Sequence, residues 1–210
     1  MKRLTLGISI AVIAVVTCFF TLPAMSGSAH SEGVLRARFN SNGEVLLPVG
    51  YRQWVHVGTR VNPLGQLSIL DGKPTTTPEA LDAYVEPHAF AAYQRTGKWP
   101  DGSQLVKEFS AVRTGAGCQS QTYLCTTEFG EGIFETRYIG LGMMVKDEKR
   151  FPSAPGHWGF FSFGHKPPPY DPVSPVRPAS RCQNCHVRLA SDTDFVISRA
   201  HIGMARAQTN

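Results

Sequence analysis

The sequence predicts an α+β domain built mainly from β-strands, with short flanking helices. Four segments alternate in polarity, or run apolar, over strand-like lengths and end at Pro, Gly, Asp or Asn: ALDAYVE, QLVKEFSAVRT, FETRYIGLGMMVKD and HWGFFSFG. Two other segments carry helix start and stop residues. With 210 residues, 42% of them hydrophobic and 18% charged, the chain suits one domain with a substantial core.

The N-terminal segment is typical of a secretory signal peptide. Lys2 and Arg3 precede an apolar run from Leu4 to Leu22, and small residues follow it. We therefore assign residues 1–29 to a signal peptide and residues 30–210 to the domain, and expect export to the periplasm. The alternative is a retained membrane anchor, because the apolar run is nearly long enough to span a bilayer.

The net charge of +5 does not indicate a nucleic-acid partner. Basic residues are scattered along the chain and form no block, and loss of Lys2 and Arg3 with the signal peptide leaves a charge of +3. We expect no nucleic-acid binding.

The two predicted helices are short. The first follows Pro48 over YRQWVHVG and ends at Gly58, and the second begins at Pro87, covers HAFAAYQRT and ends at Gly97. The proline-rich stretch HKPPPYDPVSPVRPAS predicts an extended, ordered strap, because too little chain follows it to form another core. The tail from Asn184 to Ala207 has moderate helical character.

The stretch RCQNCH contains CxxCH, the attachment signature of a c-type haem. Cys182 and Cys185 would form thioether bonds to the haem vinyl groups, and His186 would be the proximal iron ligand. The alternative is a thiol redox pair, since CxxC also serves thioredoxin-like proteins. Export and the absence of a βαβ pattern around the motif favour one covalently bound haem c per chain.

The remaining cysteines predict a disulfide. Of five cysteines, Cys18 lies in the signal peptide and two belong to CxxCH, which leaves Cys118 and Cys125 to close a local loop in an oxidising compartment. The alternative is a second metal site, which lacks a nearby histidine or further cysteine.

The sequence shows no obvious sixth ligand for the iron, which predicts an open coordination site. Adjacent methionines in an apolar strand are usually core residues, and a lone histidine is more often structural. The residues considered are Met143, Met144, Met204, His157, His165 and His201.

Lys107 stands out in the strand QLVKEFSAVRT, because it shares a face with Leu105 and Phe109. A charged, unpaired lysine on an apolar face is costly, which suggests a buried partner or covalent use. The alternative is a twisted or exposed strand end from which the side chain reaches water.

Two glycines, Gly140 and Gly142, share a face of the next strand. They remove side chains there and let a flat group such as a porphyrin approach, although a bulge or close sheet packing would explain them equally well. The segment WGFFSFG supplies aromatic surface for a core and for a haem pocket.

In order and spacing, these segments resemble the cytochrome P-460 family and its relatives, the cytochromes c-prime-beta. The similar stretches are LLPVGYRQWVHVGT, DGK, AYVEPHAFAAYQRTGKWPDGSQLVKEF, YIGLGMMVKDEKRFPSAPGHWGFFSF and RCQNCH. The resemblance implies a predominantly antiparallel β-sheet with short helices, usually in a homodimer, and a c-type haem attached near the C-terminus.

The resemblance also implies a chemistry. In cytochrome P-460 a lysine is joined covalently to the haem macrocycle, and the matching residue is Lys107; the iron is five-coordinate, with His186 as the matching ligand. Family members oxidise hydroxylamine to nitric oxide, nitrous oxide or nitrite and pass electrons to an acceptor such as another cytochrome.

One position departs from the family pattern. Catalytic members carry a distal glutamate where this chain has Gly142, and glycine cannot act as the general base that removes protons from hydroxylamine. Three glutamates from a neighbouring segment are the candidates to replace it: Glu128, Glu131 and Glu135. The leading hypothesis is a hydroxylamine-oxidising enzyme, and the alternative is a non-catalytic nitric oxide binding protein. A simple electron-transfer cytochrome, the third hypothesis, predicts a low-spin, six-coordinate spectrum.

Overall fold

The computed structural model describes residues 34–205, so the predicted signal peptide lies outside the described residues. The strands are β1 (Val45–Leu46), β2 (Val55–Asn62), β3 (Glu79–Val85), β4 (Gln104–Val112), β5 (Cys125–Thr127), β6 (Gly130–Gly132), β7 (Glu135–Lys146), β8 (Trp158–Ser162) and β9 (Val173–Ser174). The α-helices are α1 (Pro87–Thr96) and α2 (Gln183–Ala190). The predicted α+β class, with a mainly antiparallel sheet and short helices, is confirmed. No helix within residues 34–205 is both long and apolar enough to cross a membrane.

The centre of the fold is a five-stranded antiparallel sheet in the order β2-β3-β4-β7-β8. In this sheet β4 is the middle strand, and Lys107 is opposite Ala83 of β3 and Gly142 of β7. Gly142 is in turn opposite Ser162 of β8. The register therefore places the lysine and the glycine side by side at the middle of the sheet.

Both faces of the sheet are covered. One face carries Leu105, Met144 and Phe160, which pack with Tyr93, Trp99, Val196 and Met204. The other face carries Val106, Leu141, Met143 and Phe161, which pack with Val45, Tyr51 and Tyr170. Because side chains alternate along β4, Lys107 lies on the first face and Glu108 on the second.

The helix predicted between Pro48 and Gly58 is wrong for most of its length. A single 3-10 turn covers Tyr51–Gln53, and β2 begins at Val55. The valines and threonine of VHVGTRVN alternate along a strand that pairs with β3, and this pairing outweighs the local helix signals. Gly58 lies inside β2, where the register shifts, and does not end a helix.

The second predicted helix is confirmed as α1. The Glu86 side chain caps its start by accepting a 2.7 Å hydrogen bond from the Ala89 amide. Gly97 ends it in the left-handed conformation, with φ of 74°. Tyr93 of α1 stacks on Trp99 with ring centroids 4.1 Å apart, which fixes the helix against the first face of the sheet.

The C-terminal part of the chain covers the sheet. The proline-rich strap contributes β9, which pairs with β1, and its Tyr170 is buried in the second-face core. After α2 the tail forms three 3-10 turns instead of one helix: Ser191–Thr193, Ser198–Ala200 and Ile202–Met204. Positive φ angles at Asp194 and Phe195 interrupt the helix.

The predicted Cys118–Cys125 disulfide is present, and Cys125 begins the β5–β6 hairpin.

Candidate functional site

A cavity of about 210 Å³ lies between the first face of the sheet and the C-terminal segment. Its walls bring together Lys107, Gly142, Cys182, Cys185 and His186, all of which the sequence analysis singled out. Among these lining residues Cys185 is exposed at the surface. Two distant parts of the chain, the middle of the sheet and the CxxCH helix, therefore meet at one site.

His186 is held in the orientation of a metal ligand. Its Nδ1 lies 2.7 Å from the carbonyl oxygen of Phe195. A carbonyl only accepts hydrogen bonds, so Nδ1 carries the proton and Nε2 keeps a free lone pair. Burial lowers the pKa of His186, which favours the neutral, ligating form. Metal-binding histidines commonly have this second hydrogen bond to a backbone carbonyl.

The loop that presents the Phe195 carbonyl is fixed from two sides. Trp158 donates its indole N–H to the Asp194 carbonyl at 2.8 Å, and the Phe195 amide donates to the Ala190 carbonyl at 2.7 Å. Gly156 lies under this loop with φ of 61°, and a Cβ there would collide with the Phe195 ring. The histidine orientation thus depends on a buried tryptophan and on a glycine that permits close approach.

The two motif cysteines are placed for attachment at the mouth of the cavity. Cys182 precedes the first residue of α2 and Cys185 lies one turn later, so both thiols border the same opening. Both are free thiols. Burial raises the pKa of the Cys182 thiol, whereas redox-active CxxC pairs have a thiol whose pKa is lowered. This disfavours the thiol redox alternative.

Lys107 enters the cavity from the sheet. Within residues 34–205 its amine has neither a hydrogen bond nor an ion pair. Burial lowers the pKa of Lys107 to about 8, and the positive charge of Arg60 acts in the same direction. Roughly a tenth of the amine is then neutral at pH 7, compared with well under a thousandth for a lysine in water. The neutral amine is nucleophilic, as a covalent role requires.

The absence of a side chain at Gly140 and at Gly142 of β7 has a different structural reason at each position. A Cβ on Gly140 would collide with Leu70 Cδ1, so this glycine is explained by close packing of Leu70. A Cβ on Gly142 would make ordinary 3.6 Å contacts with Leu70 Cδ2 and the Phe161 carbonyl oxygen. Gly142 lines the cavity and leaves space next to Lys107.

The candidates for a sixth ligand divide by position. Met144 lines the main cavity from the first face of the sheet, whereas the Met143 side chain packs in the core of the second face; Met204 and His201 line a smaller cavity beside the main one. His157 instead contacts the Phe151 carbonyl, and His165 bridges Asp71 and Glu79. These two histidines belong to surface and loop contacts, away from the residues that line the cavity.

No carboxylate lines the main cavity in the part of the chain that the structure describes. Glu131 is in β6 and Glu135 begins β7, and neither they nor Glu128 reach the cavity wall. None of the three thus occupies the place of the glutamate that Gly142 replaces.

The sequence analysis missed the basic side chains of the site. Arg60, Arg177 and Arg181 line the cavity with Lys107. Arg177 donates to the Leu70 carbonyl at 3.3 Å and Arg181 to the Asp71 carbonyl at 3.2 Å. Guanidinium groups suit the two propionate carboxylates of a haem. The donor set, the apolar walls and this charge therefore fit a haem, and the arginines of VRPASRC were the available sequence signal.

The comparison with known families agrees with this geometry. Residues 48–198 match the family model described as Cytochrome P460. The matched range contains Lys107, Gly142 and the whole CxxCH motif, and covers well over half of the chain. A search of curated proteins found no match. The chain belongs to the cytochrome P460 family.

Proposed function

We propose that this protein is a periplasmic c-type haem enzyme that oxidises hydroxylamine to nitrogen oxides, with Lys107 covalently joined to the haem and a five-coordinate iron. The observation that carries the proposal is the unpaired, low-pKa amine of Lys107 in the same cavity wall as the His186 imidazole. The resemblance to cytochrome P-460 supplies the reaction. It also supports two further proposals, a homodimer and a soluble electron acceptor such as another cytochrome.

Each residue of the site has a separate task in this proposal. Cys182 and Cys185 would anchor one haem through thioether bonds, and His186 would hold the iron through Nε2. A bound haem would supply the redox-active iron that takes electrons from the substrate. Arg177 and Arg181 would neutralise the propionates. The apolar walls, among them Leu70 and Phe160, would restrict the open side to small ligands.

Export is proposed on two grounds. The N-terminal segment has the pattern of a signal peptide, and the Cys118–Cys125 disulfide is a bond that persists in oxidising compartments. N-terminal sequencing of the protein recovered from the periplasmic fraction tests this proposal, and a chain that begins at Met1 in the membrane fraction would instead indicate an anchor.

A second function, nitric oxide binding without catalysis, is favoured by the lack of a carboxylate among the described residues that line the cavity. Oxidation of hydroxylamine requires removal of protons, for which a general base contributes typically 100-fold to 10,000-fold. Binding of nitric oxide needs no base. Gly142 thus favours the binding protein, whereas Lys107 favours the enzyme.

The deciding experiment compares mature wild-type protein with Lys107→Met. The absorption spectrum, the masses of the haem-bearing peptides after proteolysis, and hydroxylamine-dependent dye reduction are measured on both. We expect the wild-type peptide containing Lys107 to stay joined to the RCQNCH peptide through the haem, with a red-shifted main band, and Lys107→Met to lose both properties. A free Lys107 with an ordinary high-spin spectrum, tight nitric oxide binding and no dye reduction would establish the second function.

A further inference from the structure

His201 is a buried polar side chain that the proposed function does not use. It is 4% exposed. Among the described residues 34–205 neither ring nitrogen makes a hydrogen bond of normal geometry, and the nearest backbone group, that of Gly58, interacts with the ring only weakly. Buried polar groups nearly always have a partner in the protein or in ordered water. The exception calls for a ligand or a water molecule at this position.

The fold brings His201 to the haem site. It lies between the 3-10 turns Ser198–Ala200 and Ile202–Met204, whose backbone packs against Gly58 and Val57 of β2. There it lines a side cavity that adjoins the main one and shares Lys107 and His186 with it. The imidazole is thus adjacent to the same amine that the proposed function places against the haem.

The side cavity has the size of a water site. Its volume is about 30 Å³, and a polar cavity needs roughly 10–15 Å³ to hold one water. The remaining walls are mostly apolar, with Ala83, Leu105 and Val196 among them. A water in this space would find its polar partners at His201 and Lys107.

The two side chains are complementary through such a water. Burial lowers the pKa of His201 to about 4, and the charges of Lys107 and Arg60 add to the effect. The ring is therefore neutral at pH 7 and has one nitrogen that accepts a hydrogen bond. A lysine ammonium offers only donors, so a water can accept from Lys107 and donate to His201.

We propose that His201 is a positioning residue of the haem site: it binds one water in the side cavity, and this water holds the Lys107 Nζ in place for its bond to the haem. That bond replaces one N–H of the amine and one C–H of the macrocycle, which is a two-electron oxidation, and the oxidant it requires is a peroxide. The part that concerns the haem bond rests on the proposed function. The part that concerns the water and the amine does not.

The test compares wild-type holoprotein with His201→Leu and His201→Gln. The control is Val85→Ala, because Val85 is buried in the same core but lines neither cavity. Two quantities are measured: the ordered water in crystal structures, and the fraction of haem peptide joined to Lys107 at a fixed time after induction.

We expect a water within hydrogen-bond distance of both His201 and Lys107 in the wild type. Because misplacing a reacting group by about 1 Å can cost roughly 100-fold in rate, His201→Leu should reduce the joined fraction by up to about 100-fold at times when joining in the wild type is still incomplete. His201→Gln should restore part of it, and Val85→Ala should leave it unchanged.

The outcomes separate this inference from the proposed function. A bridging water together with an unbonded Lys107 in the wild type supports the inference and contradicts the proposed function. A dry side cavity, or a joined fraction that is the same in His201→Leu, overturns the inference and leaves the function standing. A low-spin wild-type spectrum that becomes high-spin in His201→Leu identifies His201 as an axial ligand and also overturns it. If His201→Leu does not fold, the wild-type water and His201→Gln decide.

Discussion

Replacement of Glu108 by glutamine should destabilise the protein without changing the haem site. The Glu108 carboxylate is fully buried on the second face of the sheet. It accepts hydrogen bonds from Tyr51 Oη at 2.7 Å, from Tyr170 Oη at 2.8 Å and from the Arg52 Nε at 2.8 Å, and Arg52 Nη2 makes a fourth contact. This one carboxylate therefore connects β4, the turn after β1 and the proline-rich strap.

The expected loss of stability is about 3 kcal/mol. Glutamine has a single acceptor oxygen, so it cannot satisfy the two tyrosines and the arginine together. Breaking a buried ion pair typically costs about 3–5 kcal/mol. The low end applies because the Arg52 side chain is 47% exposed and can turn to water. For a domain of this size, that loss corresponds to a decrease in Tm of roughly 6–12 °C.

Thermal unfolding of the holoprotein, followed by circular dichroism, measures this change, and the absorption spectrum provides the internal control. Because Lys107 points to the opposite face, the spectrum of Glu108→Gln should equal that of the wild type. A loss below about 1 kcal/mol, the size of one ordinary hydrogen bond, would refute the role of the carboxylate as the connecting group. A shifted spectrum at unchanged stability would refute the separation of the two faces.

Burial and Glu108 raise the pKa of Tyr51 and Tyr170. The contribution of these two tyrosines to wild-type stability is therefore present below pH 10 and declines as the pH rises above it.

Three further predictions concern the site and its surroundings. Gly142→Glu places a carboxylate where a Cβ has room. It should raise hydroxylamine-dependent dye reduction by at least about 100-fold relative to the matched control Gly142→Gln. Equal rates in the two variants would show that a general base does not limit turnover. Trp158→Phe removes the 2.8 Å hydrogen bond to the Asp194 carbonyl, and should lower the free energy of unfolding by about 1 kcal/mol. It should also shift the haem reduction potential, measured by redox titration, because the loop that supports His186 loosens. A potential equal to that of the wild type would contradict this link between Trp158 and His186. Loss of the disulfide in Cys125→Ser should lower stability in urea unfolding by roughly 2 kcal/mol with the spectrum unchanged, whereas a changed spectrum would show that the hairpin contacts the haem site.

The strands and α1 could be predicted because their signals are local. Pro87 and Gly97 mark the two ends of α1, and the alternation in QLVKEFSAV matches the two buried faces of β4. The helix predicted after Pro48 failed because Pro and Gly flank a segment whose partner is distant. Pairing of Val55 with Val85 stabilises a strand there, and a local pattern contains no information about that partner.

The candidate site could be predicted only where a residue type has a specific meaning. CxxCH identifies Cys182, Cys185 and His186 by spacing alone, and Lys107 is conspicuous on an apolar face. The carbonyl of Phe195 has no sequence signature, since every residue has one. His201 becomes significant only when the tail folds back onto β2, which brings it beside Lys107.

The contrast between Lys107 and Glu108 supports a covalent role more strongly than either residue does alone. The two are consecutive on β4, and the fold supplies Glu108 with several partners on one face but leaves the Lys107 amine without any in the described residues. Lys107 is partly buried, and an apolar side chain at this position would avoid the cost of desolvating an unpaired amine. No side chain among residues 34–205 pairs directly with the amine, and one water in the side cavity would offset only part of the cost, so we expect the rest to be offset by a group that occupies the main cavity. A bond from the amine to a bound haem removes the buried ammonium altogether, which a hydrogen bond to a propionate would not do.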